Sequence, residues 1–211
     1  MKHELERRSF SFDVRADGNG KRTVSGHAAV FNTLSEPIGG WFREEIAPGA
    51  FSDSLAAGDG VYMFWNHNSD IPLAFTGSNT LRLSEDQQGL KFAADLGTDQ
   101  WGEFALSKIQ DGTVRQMSFG FIPIDVAWET RGGEEVRIVK RVKLLEVSPV
   151  MFPAYKETSV SARSAESIWR EREKAIAEAA ARSAAPHGPC LGVLIALNEH
   201  RRRIVHGKEN G

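Results

Sequence analysis

The chain has 211 residues, 41% of them hydrophobic and 26% charged, with a formal net charge of -2; that balance suits one globular domain, or one domain with an appendage. So small a net charge gives no drive toward nucleic acid, and the single cysteine, Cys190, excludes an intrachain disulfide and a cysteine-rich metal site. No apolar run reaches the ~18 residues of a membrane span, and MKHELERRSF lacks the apolar core of a secretory signal, so an intracellular protein is expected.

Up to about residue 160 the chain reads as short strands divided by turn residues. RTVSGHAAVF (22–31) alternates loosely and reads as a strand. APGAFSDSLAAG (47–58) has a proline near its start and a glycine at its end, the punctuation of a helix. GVYMFWNH (60–67) is a short apolar run closed by polar residues, again strand-like. NTLRLSEDQQGLKFAADL (79–96) reads as a hairpin turning near Gly89. TDQWGEFALSKIQDG (98–112) reads as a helix with a Thr or Asp cap, Gly112 as its stop, and Trp101, Phe104, Ala105 and Ile109 near one face. VRQMSFGFIPIDVAWE (114–129) predicts a long strand or strand pair bent near Pro123. After a turn at Gly132-Gly133, EEVRIVKRVKLLEVSPV (134–150) alternates, with Arg137, Val139, Arg141 and Lys143 on one face and Val136, Ile138, Lys140 and Val142 on the other. Many strands with few helices imply an α+β fold: a closed or nearly closed, mainly antiparallel β-barrel flanked by helices.

Beyond residue 160 the composition shifts. SAESIWREREKAIAEAAARSAA (164–185) is rich in helix formers, APHGP breaks it, and CLGVLIALNEHRRRIVHG (190–207) reads as a second amphipathic helix. The expected division is a β-barrel domain over 1–163 and a helical tail over 164–211, with a linker at 185–189.

RQMSFGF (115–121) places a lone hydroxyl, Ser118, within an apolar run. A nucleophilic serine needs a base to take its proton and a group to fix that base's tautomer. Of six histidines, His3, His187, His200 and His206 lie in terminal or appended segments, His27 lies inside a strand, and His67 ends a strand beside Asn66 and Asn68. Glu146, in KLLEVSPV, is a carboxylate in an apolar strand, costly to bury without a partner. Taken singly, each has an ordinary reading: a small residue on the other sheet face, a turn histidine, a glutamate on a wet strand face. Taken together, His67, Ser118 and Glu146 are the three types of a hydrolytic triad on three separate strands. Gly120 leaves backbone beside Ser118 uncrowded, as if for a substrate.

Several of these segments resemble the prohead proteases of tailed phages, the Hong Kong 97-type capsid-maturation enzymes. VSGHAAVFNTLSEPIGGWFREEIAPGAF, FWNHNSDIPLAFTGSNTLRLSEDQQGLKF, VRQMSFGF and LLEVSPVMFPAYKETSV carry the likeness, in the family's order, over most of residues 5–163. The resemblance implies a herpesvirus-protease-like fold and a serine endopeptidase that trims scaffold and capsid protein, and itself, inside the procapsid in the host cytoplasm. It places the family's histidine on His67 and its serine on Ser118. The herpesvirus relatives use a second histidine as third member and the phage branch an acid, which Glu146 fits. The implied partners are the major capsid protein and a scaffold, with a homodimer as a further expected state. No cofactor, metal, nucleic acid or membrane is implied.

Other signals add less. The aspartates do not form a spaced ligand set, the five tryptophans have no accompanying basic groove, and HRRRIVH (200–206) reads as a solvated face or a contact for an acidic partner. Oxyanion donors are sought among backbone amides at 147–151. Self-cleavage is expected in the flexible backbone of the linker or near 161–165. A structural capsid-assembly protein that kept the fold without activity is the alternative. An esterase would carry a G-x-S-x-G elbow where this chain has Q-M-S-F-G.

Overall fold

The computed structural model describes residues 5–11, 15–16, 22–151 and 159–184. The chain divides into two compact units, Met1–Ile168 and Trp169–Gly211. The first holds β1 (Glu6–Ser11), β2 (Arg15–Ala16), β3 (Thr23–Val30), β4 (Arg43–Ile46), α1 (Ser52–Ala56), β5 (Tyr62–Trp65), β6 (Asn68–Phe75), β7 (Leu81–Glu85), β8 (Gly89–Asp95), α2 (Gln100–Gln110), β9 (Gln116–Arg131) and β10 (Glu134–Val150). A last helix, α3, spans Ser159–Ala184. In the second unit it carries Lys174 and Glu178 at ion-pair distance across one turn and Arg172 over the Trp169 ring. The second expected tail helix lies outside the described residues.

The strands form two open sheets rather than the expected barrel. One runs β1-β9-β10-β5-β6, with β4 also paired to β10; the other runs β2-β3-β8-β7. The larger sheet is mixed, because β10 runs antiparallel to β9 but parallel to β4 and β5. Alternating strand patterns specify which faces are buried, not whether the first and last strands meet, and among the described residues they do not. Both sheets and α2 feed one apolar cluster, including Phe51, Leu90, Phe92, Ile109, Met117, Phe119, Phe121, Leu144 and Val147.

The axis of the larger sheet is the β9–β10 hairpin. Its two-residue turn, Gly132-Gly133, takes φ of 61° and 87°, the left-handed pair that lets a tight turn match strand twist. The strand continues through Pro123, which pairs with Val142 beside a register shift. The shift alters the faces expected of β10: Val139 and Val142, expected on opposite faces, both pack in the core with Leu144, and before the shift Val136, Arg137, Ile138 and Val139 are all buried. In α2, Asp99 accepts hydrogen bonds from the amides of Trp101 and Gly102, and the buried stripe is Gly102, Ala105, Leu106 and Ile109. Trp101 and Phe104 lie outside that stripe and are exposed.

Four charges lock β1 to β4 and β10. Arg8 Nε donates to Glu44 Oε1 at 2.5 Å and its terminal nitrogen to Glu6 Oε2 at 2.6 Å. Arg137 donates to Glu6 Oε2 at 2.6 Å and Glu44 Oε2 at 2.7 Å. All four residues are buried. Burial alone would raise the Glu44 carboxyl, but Arg8 and Arg137 outweigh it and its pKa lies below the ordinary value.

Candidate active site

Two rows of residues cross the larger sheet. Register sets Arg7 (β1), Gly120 (β9), Glu146 (β10) and Tyr62 (β5) side by side, and beside them Ser9, Ser118 and Ser148. Residues two apart on a strand share a face, so Ser118 and Gly120 project with Glu146 and Ser148. Met117, Phe119 and Phe121 project into the core.

Glu146 reaches this face through a bulge. Leu144 pairs with Phe121 and Glu146 with the next residue, Gly120, so Leu145 is an extra residue on β10. A bulge of this kind re-aims the side chains beyond it. Unbroken alternation would have put Glu146 on the face of Val142 and Leu144. With Leu145 inserted, Val147 packs in the core and Glu146 faces the site.

His67 is placed by a different device. β5 and β6 are joined by the two residues Asn66 and His67, with φ of 50° and 62°. Both left-handed values are what a two-residue hairpin turn requires, and asparagine tolerates that region well. The Asn66 amide donates to the Pro149 carbonyl at 3.1 Å, fastening the turn to β10. His67 then meets Glu146, its Nδ1 lying 2.7 Å from Oε1, with side chains only 16% and 6% exposed. The carboxylate accepts, so the neutral imidazole carries its proton on Nδ1 and leaves Nε2 as an acceptor. Nε2 is buried and has no hydrogen-bond partner among the described residues.

Three further contacts complete the surroundings of Glu146. The Ser148 hydroxyl donates to Oε2 at 2.5 Å. Arg7 Nε lies 3.8 Å from Oε1, with its side chain 45% exposed. A Cβ on Gly120 would lie 2.5 Å from Oε1 and 3.1 Å from Cγ and Cδ. The space that glycine leaves is therefore filled by the Glu146 side chain, not held open for a substrate as expected.

The fold thus brings His67 and Glu146 into contact and sets Ser118 one strand away, opposite Ser148. It does not join Ser118 to His67: the Ser118 hydroxyl donates to the Arg8 carbonyl at 2.8 Å, and the residue has no exposed surface. His27 lies on the other sheet, with Nε2 2.9 Å from Asp86. Of the amides sought as oxyanion donors, those at 147–150 lie inside β10 in register with β9, and Pro149 has no N–H. The boundary at 161–165 lies inside α3, so it is not the flexible backbone expected for self-cleavage; 185–189 lies outside the described residues. Sequence reading missed the grip of Ser148 on Glu146, although Glu-x-Ser on a strand places both on one face.

A family model described as Caudovirus prohead serine protease matches residues 10–171. Among solved structures, the bacteriophage T4 capsid assembly protease superposes with a TM-score of 0.51 at 10% identity, covering 72% of this chain and all of that one. No curated protein matches the chain.

Proposed function

Because the chain belongs to the caudovirus prohead serine proteases, we propose that it is the endopeptidase of procapsid maturation, with Ser118 as nucleophile, His67 as base and Glu146 as the acid that orients it. The observation that carries the reading is the 2.7 Å His67–Glu146 contact, which leaves Nε2 free to accept a proton. Glu146 holds the imidazole in the tautomer the base needs and balances the imidazolium formed when it takes the serine proton. Ser118 Oγ attacks the scissile carbonyl and the acyl-enzyme forms as His67 returns the proton to the leaving amine. His67 then takes a proton from water as that water attacks the acyl carbon, and passes it to Ser118 Oγ as the ester C–O bond breaks and the acid product leaves. Substrates are the scaffold and the major capsid protein, met inside the procapsid, and a segment of the chain's own tail.

A second reading, a capsid-assembly protein without activity, draws on the buried Ser118 hydroxyl bound to Arg8. Co-expression with the capsid protein, followed by mass mapping of new chain ends, separates the two. Cleavage that disappears in Ser118→Ala and in His67→Ala supports the protease. Cleavage that persists in Ser118→Ala would assign the nucleophile elsewhere, and an uncut capsid protein with wild-type enzyme favours the structural reading.

A further inference from the structure

We infer that Ser148 is a positioning residue, which aims the Glu146 carboxylate at His67. The inference deepens the protease reading and rests on it. Ser148 is fully buried, and its hydroxyl is spent on Glu146 Oε2 at 2.5 Å. The two lie two residues apart on one strand, where side chains rise roughly parallel, ~6–7 Å apart at their bases. Glu146 must therefore lean along β10 to be held, and Gly120 supplies the room.

With Oε2 on Ser148 and Oε1 on His67 Nδ1, both oxygens are engaged and the plane of the carboxylate is fixed. The terminal torsion of glutamate is otherwise broad, with no sharp staggered well to hold it. A competitor stands close by, since Arg7 Nε is 3.8 Å from the same Oε1 and half exposed. Without the Ser148 bond, the carboxylate can turn from the imidazole toward that guanidinium, and the base loses its orientation. A buried serine serving only to fill space would not need this partner, for any backbone carbonyl nearby would satisfy it.

The test is a double-mutant cycle. Ser148→Ala should lower kcat about 10- to 100-fold with KM within about twofold, because an interaction serving the reacting groups is lost while peptide binding is not. Added to Glu146→Ala, the same change should cost less than about twofold, since it acts only through that carboxylate. A second readout is independent of turnover. In the Ser118→Ala background, the downfield proton resonance of His67 Nδ1–H should broaden or move upfield when Ser148 is changed. Ser148→Cys keeps a weaker donor on a slightly larger side chain; it should give a smaller loss, and it is the variant to read if the alanine does not fold. Wild-type kcat, equal losses with and without Glu146, or an unmoved resonance would each overturn the inference. Full activity in Ser118→Ala or His67→Ala would instead overturn the protease reading, and the resonance would still decide the role of Ser148.

Discussion

Gly120→Ala separates two accounts of one missing side chain. A Cβ at this position lies 2.5 Å from Glu146 Oε1, about 1 Å inside ordinary carbon–oxygen contact. The strand cannot yield easily, since Gly120 is paired on both sides, to Arg7 and to Glu146. The carboxylate must therefore move by roughly 0.5–1 Å, which breaks or lengthens the His67 contact. Misplacement on that scale costs about 10²-fold in rate where geometry is decisive. The expected result is a fall of about 10²-fold in kcat with KM little changed, measured as steady-state cleavage of a peptide spanning a mapped cleavage site. A rise in KM with kcat preserved would refute the reasoning, because it would put the substrate rather than Glu146 in that space. Activity within about threefold of wild type would show that the position of Glu146 does not matter.

The remaining expectations concern the charges. Glu146→Gln keeps the shape but removes the charge that balances imidazolium in the proposed mechanism, and should lower kcat by up to roughly 10⁴-fold; a loss under about tenfold in the same assay would mean that another group orients His67. Arg137→Met leaves Glu6 and Glu44 with Arg8 as their one cation among the described residues of a buried cluster, and should destabilise the first unit by about 3–5 kcal/mol in urea titration of the Ser118→Ala chain; a change below about 1 kcal/mol would contradict the tight pairing. The lowered pKa of Glu44 fixes a direction in pH, for a depressed carboxyl adds stability above its unfolded value of about 4.3 and loses it as pH falls through the folded value. Asp95, held down to about 2 by hydrogen bonds from Arg82 and Thr23, acts in the same sense from the surface. Tm should therefore fall below about pH 4.3, and Glu44→Gln should flatten that slope; a slope left unchanged would exclude Glu44 as a source.

What could be read from the sequence was what is periodic or punctuated. The long β9 and β10 follow from apolar alternation around Gly132-Gly133, and α2 from its aspartate cap and Gly112. The short edge pieces were not legible: β1, β2 and β4 have two to six residues, carry arginine or glutamate, and owe their pairing to partners far along the chain. β6 was hidden because Pro72 and three polar residues at its start weaken the pattern, although its tight turn with β5 holds it. The candidate site was legible as residue types and not as contacts. Alternation alone would have turned Glu146 to the core, and only the register across β9 reveals Leu145 as the extra residue. Barrel closure was not legible for the same reason, since it depends on which edges meet.

The serine proton is where geometry and proposed chemistry stand furthest apart. Ser118 donates it in a hydrogen bond to the Arg8 carbonyl, while the buried Nε2 of His67 has no donor among the described residues. A buried acceptor left unpaired costs about 1–3 kcal/mol, and a neutral hydrogen bond contributes a net ~0.5–1.5 kcal/mol. Moving the hydroxyl from the carbonyl to Nε2 therefore exchanges one bond for another and relieves the costlier vacancy, because a carbonyl with two lone pairs bears the loss better than a ring nitrogen. In the proposed mechanism the resting bond is thus no deep trap. The larger demand is access, for Ser118 has no exposed surface and a peptide must reach it. β1 bears on both demands. It supplies the carbonyl that holds the resting serine, and its Glu6 and Arg8 are anchored to β4 and β10 by the buried charges. Loosening that anchor through Arg137 should consequently disturb the serine as well as the stability, so the fall in kcat of Arg137→Met should exceed what its unfolded fraction explains.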